Sequence, residues 1–419
     1  MRSRGAVLAA VAVVAAALAA PSVAGASTVT QWNETATTAL ITTGGQPPPV
    51  AVIHLAMVHA AVFDAVNAID GGYTPYLVKP AATPFDSQDA AAATAAYEVL
   101  VSIVPGQQAT LLAARDAILN AIPVGPAKTG GINAGHTAAQ AMIANRMNDG
   151  RFGTPGFPVP AVLEPGDWRP VLPAFGNDLA AWVRNVRPFM IESAEQFRTR
   201  GPWDLTSPQY AREFDEVKSL GSLTSTTRTQ DQTDASRYWG SANPPATWSR
   251  IVRGLDTQEG LSTADGARLY AQLYLTTADT FIAVWADKAY WSFWRPITAI
   301  READTDGNAA TEKDAGWLPL LPNPPYPEHP SGHLALSGSF VETLQEFFHT
   351  DQLAWTDTAR VSPTETITRS YTKLSDALKE IIDARIWSGI HFRRADEASA
   401  DLAKEVAKWR QHHYFKKLH

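Results

Sequence analysis

The sequence predicts a mostly helical protein, and three observations carry that expectation. Several Ala/Leu-rich stretches repeat their apolar residues at a spacing near 3.6. Few stretches alternate with a period of two, as half-buried strands do. The chain of 419 residues is 45% hydrophobic and 18% charged, which is enough apolar material for a sizeable core.

Taken in order, the first residues, MRSRGAVLAAVAVVAAALAAPSVAGAS, read as a secretory signal peptide. Arg2 and Arg4 form its basic start, Ala6 to Ala20 its apolar run, and Ala24-Gly25-Ala26 its small-residue cleavage site before Ser27. The run is too short and Ala-rich for a membrane anchor. The mature protein is therefore expected to be secreted, extracellular and without a membrane span. Helices follow at 50–69, 88–104, 107–122 and 132–149. A stretch dense in Pro, Gly and aromatics, RFGTPGFPVPAVLEPGDWRPVLPAFG, then reads as a long loop of the kind that is usually functional. Helical pattern resumes in SPQYAREFDEVKSLG, QDQTDASRYW, DGARLYAQLYLTTADTFIAVWADKAYWSFW, 332–348 and 373–389. A split near residue 200 divides the chain into an N-terminal helical half, 27–200, and a C-terminal one, 201–419.

Composition also excludes. With no cysteine, the chain has no disulfides, thiolate nucleophile, zinc finger or iron–sulfur cluster. A net charge of −7 argues against a nucleic-acid partner. Any anion chemistry must come from a local cluster of cations.

Three segments supply such a cluster. In DKAYWSFWRP, Lys288 and Arg295 are seven residues apart, on nearly the same face of a helix and about 10 Å apart along its axis. Pro296 disfavours helical geometry at Arg295, so the helix is expected to end there. The surrounding aromatics imply burial, and buried cations need anionic partners. In YPEHPSGH, Ser331 is suited to cap the following helix, leaving backbone N–H groups near Gly332 and His333 as an anion cradle. His333 then suits a general acid. In ARIWSGIHFRRAD, Arg385 and His391 are six apart, about 120° out of phase on a regular helix, and Gly389 supplies a candidate break that would let both face one site. Each segment alone has a plain structural reading: surface charges, a capped helix start, a salt-bridge arginine and a core histidine. Four fixed letters such as PSGH arise by chance in roughly one chain of this length in several hundred, before the flanking motifs are required.

The ordered set KxxxxxxRP, PSGH and RxxxxxH resembles the vanadium-dependent haloperoxidase and type 2 phosphatidic acid phosphatase (PAP2) superfamily, in its secreted bacterial haloperoxidase-like branch. VHAAVFDAVNAI, RPVLPAFG, RTQDQTDASRYW and NPPATWSRI extend the likeness, more weakly, over most of the mature chain. The resemblance implies an all-α fold of helical bundles of the chloroperoxidase/PAP2 type. It implies a site for vanadate, or for phosphate in the same place. Lys288, Arg295 and Arg385 would neutralise the oxygens, Ser331 and the Gly332 amide would donate hydrogen bonds, and His333 would be the acid–base residue. His391 would bond vanadium or, in a phosphatase, attack phosphorus.

The implied partners are hydrogen peroxide and a halide, with Lys288 polarising the peroxide, or alternatively a phosphomonoester handled through a phosphohistidine, as in an acid phosphatase. Trp285, three before Lys288, and Tyr326, seven before His333, resemble the aromatics of the chloroperoxidase type. Two positions depart from the family. The phosphatase Asp four residues after the second His is Ala395 here, with Asp396 one step on. The acid expected to orient His333 is missing from RYWGSANPP, where Gly240 and Ser241 stand, leaving Asp234 or Glu328 as substitutes. His329 is read as a bystander. His54, His59 and Asp64, five apart on one helix, are out of phase for a shared metal; the histidines are read as core or interface residues, and His412-His413 as part of a solvated tail. GPAKTGG lacks P-loop spacing, and neither GxSxG nor HExxH occurs.

Overall fold

A computed structural model describes residues 27–241 and 243–418; the expected signal peptide, 1–26, lies outside the described residues. The chain folds as helices α1 (Thr28–Thr37), α2 (Pro48–Asp70), α3 (Gln88–Ile103), α4 (Gln108–Ala121) and α5 (Pro126–Asn145). After an irregular stretch come α6 (Pro208–Leu220), α7 (Gln230–Ser241), α8 (Pro244–Glu259), α9 (Thr263–Trp291), α10 (Pro296–Arg301) and α11 (Gly332–Phe348). A two-stranded antiparallel hairpin, β1 (Trp355–Ser362) and β2 (Glu365–Tyr371), precedes α12 (Leu374–Trp387) and α13 (Arg393–His413).

The core runs from Val29 to Phe415 and is centred on α2 and α9, which pack on each other. Nearly every residue of α2 is buried, which explains an apolar pattern on all its faces. It is long and apolar enough to cross a bilayer, yet its most apolar window is wholly buried inside the protein. Alongside it, α5 begins six residues before the expected start, with Pro126 in its first turn. Its glycines lie where the helix crosses α3. A Cβ at Gly131 would stand 2.2 Å from the Ser87 carbonyl oxygen, and one at Gly135 2.5 Å from that of Ala91. GPAKTGG is therefore helix, with glycine kept for close packing.

The hairpin is an addition to the expected all-helical chain. It alternates buried Trp355, Asp357 and Ala359 with exposed Thr356, Thr358 and Arg360. An acid on the inward face hid the pattern. Asp357 is tolerated there because it accepts hydrogen bonds from Tyr238 Oη (2.7 Å) on α7 and from Arg250 on α8 (2.5 and 2.6 Å).

Buried carboxylates fix the irregular segments to the helices. On α2, Asp64 accepts the backbone N–H groups of Tyr76, Leu77 and Val78 at 2.7–2.9 Å. On α9, Asp279 accepts those of Phe189, Met190 and Ile191 at 2.6–2.9 Å. One residue before Lys288, Asp287 takes the Thr199 N–H at 2.7 Å and pairs with Arg198. Each bond satisfies a loop donor that would otherwise be buried without a partner.

His54 and His59 are core residues, as expected. His54 Nδ1 meets Gln46 Oε1 at 2.7 Å. His59 stacks between the Tyr270 and Tyr274 rings, with centroids at 5.1 and 4.9 Å, and its Nε2 lies 3.0 Å from Asn33. Burial disfavours the imidazolium and lowers its pKa from 6.5 to about 3. The folded protein thus binds fewer protons here than the unfolded chain. The stabilisation is complete above the unfolded value and is lost as pH falls towards the folded one. Between about pH 7 and about pH 4.5 the protein should lose stability. In His59→Phe, which keeps the stacking but takes up no proton, that loss should be smaller by on the order of 2 kcal/mol. Denaturant midpoints at the two pH values measure this, and equal losses in both proteins would contradict it.

Candidate active site

Lys288 sits in the last turn of α9, which stops at Trp291 because Ser292 turns into the left-handed region (φ 41°). Arg295 is therefore not on that helix. It is the extended residue before Pro296 that leads into α10. The expected shared helix face is corrected: a tight turn, not helical periodicity, brings the two cations together.

Both are fully buried. Lys288 Nζ donates to the carbonyl oxygens of Pro327 (2.7 Å), Glu328 (3.2 Å) and Pro330 (2.5 Å). Burial and the charge of Arg295 push its pKa well below that of an ordinary lysine. Three carbonyl acceptors nevertheless need three N–H donors, which only the ammonium has. In this structure its hydrogens are engaged by the loop, which it clamps. Arg295 donates from Nε to Tyr326 O (3.0 Å) and from Nη1 to Ile390 O (2.7 Å), and Nη1 also lies 3.3 Å from His391 Nε2. Its Nη2 is buried with no hydrogen-bond partner among the described residues.

The clamped loop delivers Ser331 to the start of α11. Its backbone takes the capping position, but its side chain makes no capping bond. The hydroxyl is buried and without a hydrogen bond, so it remains available as a donor. The backbone is held against α13, Ser331 N–H donating to Ala395 O (3.0 Å) and Ser331 O accepting from Ser399 Oγ (2.6 Å). At Gly332 a Cβ would stand 3.0 Å from the Trp285 ring and 3.7 Å from Tyr326 Oη. The two expected accessory aromatics thus lie against the glycine, their ring centroids 5.2 Å apart.

His333 is 8% exposed and edge-on to Trp239, with ring centroids at 6.5 Å. Its Nε2 has no hydrogen-bond partner among the described residues. Burial, then Arg385, push its pKa well below 6.5, so the ring is neutral. Neither substitute acid reaches it. Asp234 accepts from Gln230 Nε2, and Glu328 is engaged elsewhere. At Gly240 a Cβ would meet the tip of the Leu321 side chain at 2.3 Å.

In the third segment α12 ends two residues after Arg385, and Gly389 (φ 77°) makes the expected break. A Cβ there would stand 2.4 Å from the Gly221 carbonyl oxygen. The turn places His391 before α13, 1% exposed, with its Nδ1 2.8 Å from Glu328 Oε1. The same oxygen accepts the Phe392 N–H at 3.0 Å. Glu328 therefore fixes the tautomer: Nδ1 carries the proton and Nε2 presents its lone pair beside Arg295. Burial raises the Glu328 pKa to about 8, while Arg295 and Lys288 pull it down. Glu328, offered by the sequence as a partner for His333, is instead the partner of His391. It does from the loop what the phosphatase pattern asks of the residue that is Ala395 here. His329 stays outside, bonded through Nε2 to Arg200 O at 2.9 Å.

Arg385 is 6% exposed and forms no hydrogen bond among the described residues. Its largest electrostatic compensation comes from Asp396 in the first turn of α13, whose pKa burial raises well above that of an ordinary carboxyl. Ser331 and Arg385 pull Asp396 the other way, but neither makes a hydrogen bond of normal geometry to it. A cavity of about 310 Å³ opens outward from Gly332, His333 and Arg385 between Trp239, Trp285 and Tyr326. Asp178, from the end of the long loop, lines it and accepts the Trp285 Nε1–H at 2.9 Å. Nothing in the sequence near the motifs points to Asp178.

The donors left over are Arg295 Nη2, Arg385, Ser331 Oγ and the start of α11, grouped where His391 feels Arg295, Arg385, Lys288 and His333. Such a set fits a small oxyanion. Among the described residues no group of three or more His, Asp or Glu is arranged to hold a metal cation.

Residues 268–419 match the family model described as VCPO second helical-bundle domain. A vanadium chloroperoxidase from Curvularia inaequalis is 27% identical over 209 residues, which make up 41% of this chain and 34% of that protein. The match thus spans about a third of the relative's length. Among solved structures, a bacterial vanadium-dependent iodoperoxidase superimposes with a TM-score of 0.79 at 23% identity, over 93% of this chain and 97% of that one. A holo-type bacterial vanadium-dependent chloroperoxidase gives 0.67 at 16% identity, over 91% and 96%. These two likenesses show a shared helical-bundle fold.

Three substitutions at two positions test the site by binding alone. With orthophosphate as probe, Arg385→Ala should weaken affinity by on the order of 10- to 100-fold, the worth of one charge-assisted hydrogen bond. Glu328→Gln keeps an acceptor for His391 Nδ1 and should stay within a few-fold of wild type, whereas Glu328→Leu should bind at least about 10-fold more weakly. Calorimetric titration reads all three, and unchanged affinity in Arg385→Ala would refute the placement of the anion.

Proposed function

We propose that this chain, whose C-terminal part matches the model of the VCPO second helical-bundle domain, is an exported vanadate-dependent haloperoxidase that oxidises a halide with hydrogen peroxide. The observation that carries the reading is the group of buried donors without partners, Arg295 Nη2, Arg385 and Ser331 Oγ, beside His391, whose Nε2 faces Arg295. Vanadate fits this donor set: its oxygens would be met by Arg295, Arg385, Ser331 and the Gly332 amide, and its metal by His391. When bound, it supplies a Lewis acid that activates peroxide towards attack by halide.

The remaining chemistry belongs to the side chains. Arg295 and Arg385 stabilise negative charge in a dry site, where each is worth more than in water. His333, neutral through burial, takes up the proton that peroxide gives up and returns it to the oxygen that leaves as water. Lys288 contributes its field and holds Ser331 in place through the loop. Glu328 keeps the His391 lone pair facing inward. Export is read from residues 1–26 alone.

A second reading, a PAP2-type phosphatase, is favoured by one observation. A carboxylate holding His391 Nδ1 would equally prepare Nε2 to attack a phosphomonoester. One experiment separates them. Purified apo protein is assayed for bromide oxidation by peroxide with and without orthovanadate, and in parallel for hydrolysis of p-nitrophenyl phosphate. Vanadate-dependent halide oxidation is expected, reduced at least about 100-fold in His391→Ala. Phosphate release that vanadate inhibits, with no halide oxidation, would overturn the peroxidase reading.

A further inference from the structure

We propose that Asp396 is a positioning residue for the oxyanion: it stays protonated and donates to Ser331 Oγ, so that the one hydroxyl hydrogen of Ser331 points at the anion. The inference rests on the oxyanion reading of the site and adds a residue to it.

Placement is the first argument. Ser331 is strapped to the start of α13 by two bonds, its N–H donating to Ala395 O (3.0 Å) and its carbonyl oxygen accepting from Ser399 Oγ (2.6 Å). Asp396 lies between those two attachment points, one residue after the first. Both side chains are fully buried, and they adjoin. Yet Ser331 Oγ and both Asp396 oxygens have no hydrogen-bond partner of normal geometry among the described residues. Buried polar groups are ordinarily paired, so two unpaired ones side by side need a reason. A turn of either side chain joins them.

Charge gives the second. A carboxylate buried with no hydrogen bond is costly, whereas the protonated acid is neutral and becomes a donor. Arg385 on α12 and Arg393 at the start of α13 favour the ionised form, and Glu328 on the motif loop opposes it. Lys288 and Arg295 feel the same charge from the end of α9 and the turn after it. Burial outweighs these cations and holds the Asp396 pKa well above the ordinary carboxyl range. A bound oxyanion brings further negative charge to the same place and secures the proton.

The donor count gives the third. Arg385 carries five N–H donors and can face Asp396 and an anion at once. Ser331 has a single hydrogen and must choose. Beside an ionised Asp396 that hydrogen would go to the carboxylate and be lost to the site. Beside a protonated Asp396 the serine oxygen accepts, and the hydrogen is left for the anion. The chain from Asp396 through Ser331 to the anion then polarises in one direction, each bond strengthening the next. No proton changes hands in it.

The test reads that proton directly. Infrared difference spectra of the full apo chain, taken as tungstate is added, report the carbonyl stretch of any protonated carboxyl. Tungstate is a tetrahedral dianion that does not titrate near neutral pH, and calorimetric titration gives its affinity. Wild type should show a protonated-carboxyl band that shifts on binding, is missing in Asp396→Asn and no longer shifts in Ser331→Ala. Asp396→Asn, whose amide N–H replaces the acid O–H as donor to Ser331 Oγ, should keep tungstate affinity within about 3-fold of wild type. Should Asp396→Asn not fold, the Ser331→Ala spectrum decides alone, a lost shift supporting the relay and a retained one overturning it. No such band in wild type with tungstate bound, or an unchanged band in folded Asp396→Asn, would overturn the inference and leave the anion site standing. So would a loss of affinity beyond about 10-fold in folded Asp396→Asn. Wild type that binds no tungstate would instead overturn the oxyanion reading.

Discussion

Three buried cations, Lys288, Arg295 and Arg385, meet at the site, which is arranged around what answers each charge. Burying an ammonium or guanidinium costs several kcal/mol unless hydrogen bonds and opposite charge compensate it. Lys288 is compensated by three loop carbonyls, and Arg295 by two carbonyls and the nearby Glu328. Arg385 has electrostatic help from Asp396 but no hydrogen bond among the described residues. This gradient, from engaged to free, distinguishes holding the site from serving it. Lys288 is part of the frame, and Arg385 is the cation most open to a ligand.

The fold supplies the rigidity this arrangement needs. The long helices α2 and α9 form a buried pair, and Asp64, Asp279 and Asp287 tie irregular chain to them through backbone N–H groups. The N-terminus of α11 is pinned to α13 by backbone and hydroxyl bonds from Ser331, Ala395 and Ser399. The Ser331 side chain, freed from capping, then faces the site. Glu328 connects two of the three motif segments directly, because it lies three residues before Ser331 and hydrogen-bonds His391.

Much of this was legible in the sequence, for identifiable reasons. Long helices with apolar faces, such as α2, α3 and α9, show their period plainly. The three motif segments were recognisable because their chemistry depends on fixed short spacings. What was hidden depended on contacts between distant residues or on single backbone angles. Nothing local announces that Ser292 takes a left-handed conformation, and so Lys288 and Arg295 were assigned to one helix face. The partner of Glu328 is settled by the turn at Gly389, sixty-one residues downstream. Helix α13 escaped notice because Asp396, Ser399 and Arg410 interrupt the alanines, Leu402 and Val406 of its buried face. Asp178 lies more than a hundred residues from any motif and joins the site only through Trp285.

The central claim is that the donors left free by the fold converge on one oxyanion opposite His391. A crystal structure of the chain grown with orthovanadate tests it most directly. The account predicts a single vanadium bonded to His391 Nε2, with its oxygens within hydrogen-bond distance of Arg295, Arg385 and Ser331. Vanadium bound elsewhere, or His391 still facing Arg295 with no ion between the two arginines at saturating vanadate, would contradict it.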